Sequence, residues 1–149
     1  MSGTAIRELR QRAGLTQREL AELSGVAQPN IAAYENGSRR PSAAMLERLT
    51  AAAKPRPSSA LADHRSEVEA LLRDHRALGA KVFGSVARNE DRPGSDLDLL
   101  VTFRSDASLF DQIDLAYDLE RLLGVHVDVV SEGGLTERHA EIRAEARPL

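Results

Sequence analysis

Two aspartates separated by a single leucine, Asp96 and Asp98, constrain this chain more than any other feature of its sequence. They open an apolar run that continues to Val101, and this run predicts a β-strand. Side chains two residues apart in a strand point to the same face, so the two carboxylates project side by side. Charges held that close repel each other unless a cation lies between them. Mg²⁺ prefers oxygen ligands of this kind and fills its other positions with water and phosphates.

Ten residues separate a Gly-Ser pair from the first of these aspartates. Residues 81–83 predict a short strand, and we expect Gly84 and Ser85 to open a helix directly after it. A helix N-terminus offers free N–H groups to a phosphate, and Arg88 follows about one turn later. Ser95 lies in the turn before the carboxylate strand, and we assign it to the same nucleotide-binding site.

The rest of this half alternates between helical and strand patterns. We predict helices over residues 60–76, 109–123 and 136–147 and a buried strand over 125–130. Asp128 lies among valines in that strand, and a neighbouring metal would explain a buried carboxylate, which is otherwise costly. The four histidines show no metal-ligand spacing, so we expect them to be solvated or structural: His64, His75, His126 and His139. We expect Tyr34 and Tyr117 in the core.

The charge distribution divides the chain into two parts. Residues 1–56 carry nine Lys or Arg against five Asp or Glu, whereas residues 57–149 carry 11 against 18. The first part has a balance of +4, which suits nucleic acid, and the second has −7. Two prolines and two serines after Lys54 suit a linker. We therefore predict a first domain over 1–54, a linker over 55–60 and a second domain over 61–149.

Composition excludes several classes of protein. The chain has no cysteine, which rules out disulfides and thiolate zinc sites. No apolar run approaches the ~20 residues that cross a bilayer, and the first residues do not form a signal peptide. We expect a cytoplasmic protein that does not associate with membranes.

The first domain has the pattern of a chain of short helices. Thr16 and Glu19 form the sequence of a capping box, and Gly25 predicts the end of that helix. A further helix opens at Ala27 or Gln28, and this order of helix, tight glycine turn and helix predicts a helix-turn-helix.

Residues 4–53 closely resemble the Xre/Cro repressor family in their caps, glycines and apolar positions. The resemblance implies that the second helix of the motif enters the major groove of DNA, with Gln28, Asn30 and Ala33 facing base edges. Amide side chains suit that role because they can form bidentate bonds to adenine. The same resemblance implies phosphate contacts from Gln17, Asn36, Arg39 and Arg40. The alternative is a helical protein-interaction module that does not bind DNA.

Residues from about 60 to 147 resemble the minimal nucleotidyltransferases (MNT) of the DNA polymerase β-like superfamily. The resemblance rests on the Gly-Ser pair, the Asp-Leu-Asp motif and the later Asp128. It implies that two Mg²⁺ ions bind Asp96 and Asp98, that Asp128 is a third carboxylate activating the acceptor hydroxyl, and that Gly84 and Ser85 hold the phosphates of ATP. The fold class implied is α+β, with an all-α helix-turn-helix domain followed by a small mixed sheet flanked by helices.

MNT proteins are typically encoded beside HEPN proteins as toxin–antitoxin pairs. The resemblance therefore implies an antitoxin that transfers AMP from ATP to a tyrosine hydroxyl of a HEPN-type toxin and binds operator DNA to repress its own operon. It would form a homodimer or a hetero-oligomer with the toxin. Two alternatives remain: an antitoxin that masks the toxin without catalysis, and a nucleotide-sensing transcriptional regulator.

Overall fold

The computed structural model describes residues 1–149, which divide into two compact units, Met1–Pro55 and Arg56–Leu149. The first unit contains helices only, and the second contains a four-stranded mixed sheet with helices around it. This arrangement confirms the predicted α+β class. None of the helices has the length and apolar character needed to cross a membrane.

The first unit consists of four helices: α1 (Gly3–Arg12), α2 (Gln17–Ser24), α3 (Gln28–Glu35) and α4 (Ala43–Ala52). The capping box that the sequence predicts forms at the start of α2, where Thr16 and Glu19 exchange side-chain and backbone hydrogen bonds. Gly25 ends α2 in the left-handed conformation, with φ 69°. Each helix contributes one fully buried side chain to the core: Ile6, Leu20, Ile31 and Leu49.

One buried carboxylate, Glu35, connects α3 to the first two helices. It accepts hydrogen bonds from Arg10 Nε at 2.6 Å and from Gln17 Nε2 at 2.9 Å. Burial by itself would raise the pKa of Glu35, but these hydrogen bonds, the charge of Arg10 and a contact from Arg7 together lower the pKa. Gln17, for which the resemblance implies a phosphate contact, therefore also has a hydrogen bond within the unit.

The second unit alternates helices and strands along the chain. Its helices are α5 (Pro57–Asp63), α6 (Arg65–Asp74), α7 (Leu109–Leu123) and α8 (Ala140–Glu145). Its strands are β1 (Ala77–Phe83), β2 (Leu97–Phe103), β3 (Val127–Ser131) and β4 (Arg147–Pro148). Two 3₁₀ turns, Glu132–Gly134 and Glu137–His139, lie between β3 and α8.

The sheet has the strand order β3-β2-β1-β4. β1 is antiparallel to both β2 and β4, whereas β2 and β3 are parallel and are connected through α7. The β2 residues that the sequence assigned to the face opposite the aspartates are fully buried: Leu97, Leu99 and Val101. Leu115 and Leu119 of α7 join them in the core, so the alternation of β2 directs its apolar face inward and leaves Asp98 on the other face.

The structure differs from the sequence prediction at both ends of this unit. Residues 57–60, which we expected in a linker, belong to α5, because Pro57 suits a first helical turn and Ser58 N–H donates to the buried Asp91 at 2.8 Å. The helix predicted over 60–76 is interrupted at His64. The helix predicted over 136–147 is too long at both ends, because α8 covers only Ala140–Glu145: a 3₁₀ turn precedes it, and Arg147 pairs with β1 in β4.

Helix α7 has the predicted bounds, but part of its apolar surface faces solvent. Ser108 and Asp111 form its capping box, and Gly124 ends it with φ 69°. The prediction of Tyr117 in the core is wrong, because its side chain is 60% exposed. Phe110 and Ile113 are also exposed. Tyr34, in contrast, is buried as predicted.

Candidate active site

Three carboxylates meet where β2 and β3 begin. Asp96 lies one residue before β2, and Asp98 and Asp128 are the second residues of β2 and β3. In the parallel pairing of the two strands, Asp98 lies directly opposite Asp128. The strand register therefore brings together two acids that are 30 positions apart in the sequence.

The pKa of Asp98 is raised in this cluster. Burial raises the pKa of Asp98 most, the charges of Asp128 and Asp96 raise it further, and Arg88 opposes them. A divalent cation would relieve this repulsion, and a set of carboxylate oxygens suits Mg²⁺. Oxygen or nitrogen atoms of Asp96, His126 and Asp128 all lie within 4.8 Å of one another. The residues present thus fit a metal site.

His126 is a member of this cluster that the sequence prediction missed. It is exposed, but its Nε2 lies 3.2 Å from Asp128 Oδ1 and its Nδ1 lies 2.7 Å from Glu120 Oε1. The charge of Asp128 raises the pKa of His126, with a smaller contribution from Glu120. The signal was present in the sequence, because His126 precedes Asp128 by two residues and side chains at that spacing in an extended chain share a face.

The prediction that Asp128 is buried is wrong. Its side chain is 52% exposed, although Val127 beside it is buried. β3 is an edge strand, and Asp128 lies near its start on the face away from the core. An exposed carboxylate is reachable by an acceptor group, so the position suits a residue that takes a proton from a substrate.

Gly84 follows β1 and permits the close approach of Asp98. The backbone at Gly84 has φ 70°, which side chains rarely adopt. A Cβ at this position would overlap Asp98 Oδ2. Glycine is therefore favoured twice here, by the backbone conformation and by the space that the Asp98 carboxylate occupies.

The helix that we predicted after Gly84 is wrong, because residues 84–89 form consecutive turns. Arg88 N–H donates to the Gly84 carbonyl at 3.2 Å, and Glu90 N–H donates to the Ser85 carbonyl at 2.9 Å. The positive φ of 56° at Asn89 ends the segment, since left-handed residues cannot continue a right-handed helix. The segment contains one turn of backbone N–H groups, but no helix follows to add its dipole.

The side chains assigned to nucleotide binding have partners of their own. Arg88 Nε donates to Glu90 at 3.0 Å, and its Nη1 donates to Glu145. Glu145 also accepts from Gly84 N–H at 3.0 Å. Ser95 Oγ accepts from Arg92 N–H at 2.9 Å and so fixes the turn before β2. Nothing in the sequence indicated Glu145, which lies 61 residues from Gly84.

The amide and arginine side chains that the sequence predicts to contact DNA lie on and around α3 of the first unit. Gln28 is exposed, and its Nε2 donates to Gln17 Oε1 at 3.0 Å. Arg39 Nη1 donates to Asn30 Oδ1 at 3.0 Å. Asn36 Oδ1 accepts from Ser38 N–H at 2.9 Å, Arg40 is exposed, and Ala33 is half-buried. These contacts orient two of the amides, Gln28 and Asn30, before any ligand is bound.

Comparison with known proteins gives a family for each unit. Residues 6–53 match the family described as helix-turn-helix, and residues 64–149 match the family described as nucleotidyltransferase domain.

Individual relatives match part of the chain. Protein adenylyltransferase MntA of Thermococcus cleftensis is 39% identical over 77 residues, which cover 46% of this chain and 78% of MntA. MJ0435 of Methanocaldococcus jannaschii, which carries the name of a protein adenylyltransferase, is 46% identical over 61 residues. These cover 41% of this chain and 66% of MJ0435. A solved structure described as a minimal nucleotidyltransferase is 48% identical, with a TM-score of 0.55, and the match covers 62% of this chain and 95% of that one.

Proposed function

We propose a specific activity for this chain, which belongs to the nucleotidyltransferase domain family: it transfers AMP from ATP to a hydroxyl group of a protein. In this proposal the acceptor is a tyrosine of a HEPN-type toxin, and the chain is the antitoxin of that pair. The relatives named protein adenylyltransferases support the reaction class. The toxin partner follows from the resemblance of the sequence to MNT antitoxins.

One observation carries the proposal: the Asp98–Asp128 register directly beside the Gly84 turn. A transferase needs a metal-binding pair of acids, a place for the triphosphate and a proton acceptor within a few ångströms of each other. Asp96 and Asp98 are the pair, and Ser85 with Arg88 forms the phosphate side. Asp128 lies on the neighbouring strand. Acids at a strand end that serve only to contact solvent would need no glycine beside them, whereas Gly84 leaves room for the Asp98 carboxylate.

The residues divide the reaction among themselves. Asp96, Asp98 and Asp128 would hold two Mg²⁺ ions, which when bound lower the pKa of an attacking hydroxyl and stabilise a leaving pyrophosphate. The acceptor oxygen bonds to the α-phosphorus of ATP as the bond between that phosphorus and the pyrophosphate oxygen breaks. The hydroxyl proton passes to Asp128, whose exposure leaves it open to an acceptor from outside the chain. Arg88 offsets charge on the β- and γ-phosphates.

The surface of α7 supports a protein as the acceptor. Phe110 is 76% exposed, and Ile113 and Tyr117 lie along the same exposed side of the helix. Contiguous exposed apolar side chains mark interaction sites more often than free surface. The net charge of −7 over residues 57–149 favours encounter with a basic, RNA-binding partner.

We expect co-expression with a HEPN-type protein encoded beside this chain to restore growth and to add AMP to that protein. Intact-mass spectrometry should show a gain of one or more AMP units, and peptide mapping should place them on tyrosine. The matched sample contains the Asp96→Ala variant and should show no gain. If the toxin is neutralised with unchanged mass, and Asp96→Ala still protects, the chain masks its partner without catalysis.

We further propose that the first unit binds operator DNA near the promoter of its own gene. The helix-turn-helix match supports this role, as do the +4 charge of residues 1–56 and the oriented amides of α3. Gln28 and Asn30 read base edges, Ala33 contacts a base methyl group, and Gln17, Asn36, Arg39 and Arg40 contact phosphates. An operator with two half-sites requires a dimer or a larger complex with the toxin.

We expect Gln28→Ala to reduce discrimination between operator and random duplex by about 1–3 kcal/mol, because it removes a bidentate base contact. Arg40→Ala should weaken binding to both duplexes equally and reduce the salt dependence. Gel-shift titrations at several salt concentrations measure both effects. Gln11→Ala removes an exposed amide from α1 and is the matched control. A wild-type protein that binds both duplexes equally would exclude operator recognition.

A further inference from the structure

The last ten residues of the sequence bring a carboxylate to the Gly84 turn. Glu145 is the last residue of α8, and its Oε2 accepts from Gly84 N–H at 3.0 Å. Its Oε1 accepts from Arg88 Nη1. One side chain therefore bonds both the backbone of the turn and the guanidinium that we place on the phosphates.

The backbone around Glu145 is anchored on its C-terminal side. In β4, Arg147 pairs with Val82 and Pro148 with Lys81, so the segment continues the sheet next to β1. Arg65 Nη2 donates to the Leu149 carbonyl at 2.7 Å. A carboxylate on the last residue of a helix, two residues before a paired strand, has little freedom to move away from the turn.

Arg88 is held at two of its three nitrogens. Nε donates to Glu90 and Nη1 to Glu145, whereas Nη2 makes no hydrogen bond. A guanidinium offers its donors in a planar fork, so fixing two of them fixes the direction of the third. The hydrogen bonds from Arg88 and Gly84 lower the pKa of Glu145.

We infer that Glu145 is a positioning residue for the triphosphate: it fixes the Gly84 turn and directs Arg88 Nη2 toward the β- and γ-phosphates. This inference rests on the proposed function, because it assumes that ATP binds at the turn. Glu145 does not touch the nucleotide in this arrangement. Its effect passes through Gly84 and Arg88, so its loss affects only ligands that carry the outer phosphates.

The full-length Glu145→Gln and Glu145→Ala variants test this role through the equilibrium binding of ATP and of AMP in the presence of Mg²⁺. We expect ATP affinity to fall roughly 10- to 100-fold, as is common when a supporting contact is lost, with AMP affinity changed less than about threefold. Glu145→Gln should have the smaller effect, because its amide oxygen can still accept from Gly84. Glu141→Gln, an exposed acid on the same helix, is the matched control and should bind ATP like wild type.

A double-mutant cycle separates positioning from general stability. In an Arg88→Ala background, Glu145→Gln should reduce ATP affinity little further, because the guanidinium that Glu145 orients is already absent. Equal losses in both backgrounds, or equal losses for ATP and AMP, would overturn the inference. Tighter ATP binding by the variants would also overturn it, since Glu145 would then compete with phosphate. A wild-type protein that binds no ATP would refute the proposed function itself.

Discussion

In the Asp98→Asn variant we expect AMP transfer to fall at least about a thousandfold, because preorganised charge at the reacting phosphate supplies most of the rate. Asparagine keeps the size of the side chain and removes only the charge. The measurement is the initial rate of label transfer from ATP to the partner with Mg²⁺. Asp114→Asn, an exposed acid on α7 outside the cluster, is the matched control and should transfer at the wild-type rate.

The same variant gives a stability signal of the opposite sign. The folded-state pKa of Asp98 is raised by burial and by its neighbouring acids, so its ionisation above the unfolded-state pKa disfavours folding. At neutral pH, Asp98→Asn should therefore melt no lower than wild type in the absence of metal. Mg²⁺ should raise the wild-type melting temperature and leave that of the variant nearly unchanged. Equal stabilisation of both proteins by Mg²⁺ would contradict a metal site at Asp98.

Gly84→Ala should impair both folding and transfer. A left-handed alanine costs about 1–3 kcal/mol, and the overlap of its Cβ with Asp98 Oδ2 adds a similar amount unless the carboxylate moves. Thermal unfolding of the second unit should shift down by roughly 10 °C or more. If Asp98 moves to relieve the overlap, the unit stays folded but loses Mg²⁺ binding and transfer.

Gly79→Ala is the matched control for this substitution. Gly79 lies within β1, the strand that Gly84 follows, and a Cβ at Gly79 would meet no atom within 4 Å. We expect wild-type transfer from it, with no loss of stability. A Gly84→Ala protein with wild-type melting and wild-type transfer would show that the turn does not need glycine.

The elements that the sequence predicted well are those decided by neighbouring residues. The capping box of Thr16 and Glu19 forms within one turn of helix, and α7 covers the predicted residues 109–123. The alternation of Leu97, Asp98 and Leu99 decides which side chains are buried at the start of β2, because a strand has a period of two. The turn after Gly84 shows the limit of this reasoning, since Asn89 could have continued a helix and instead takes a positive φ.

The sequence alone determined the chemistry available to this chain. It placed two carboxylates two residues apart at the start of one strand, a Gly-Ser pair before them and an amide-bearing helix-turn-helix ahead of both. Tertiary structure decided which groups meet: the register of β2 against β3 sets Asp98 opposite Asp128, and the pairing of β4 with β1 brings Glu145 to Gly84. Caps and alternation act over a few residues, whereas strand order and register depend on contacts between segments far apart in the chain. No local pattern encodes those contacts, because they form only when the whole unit buries its core.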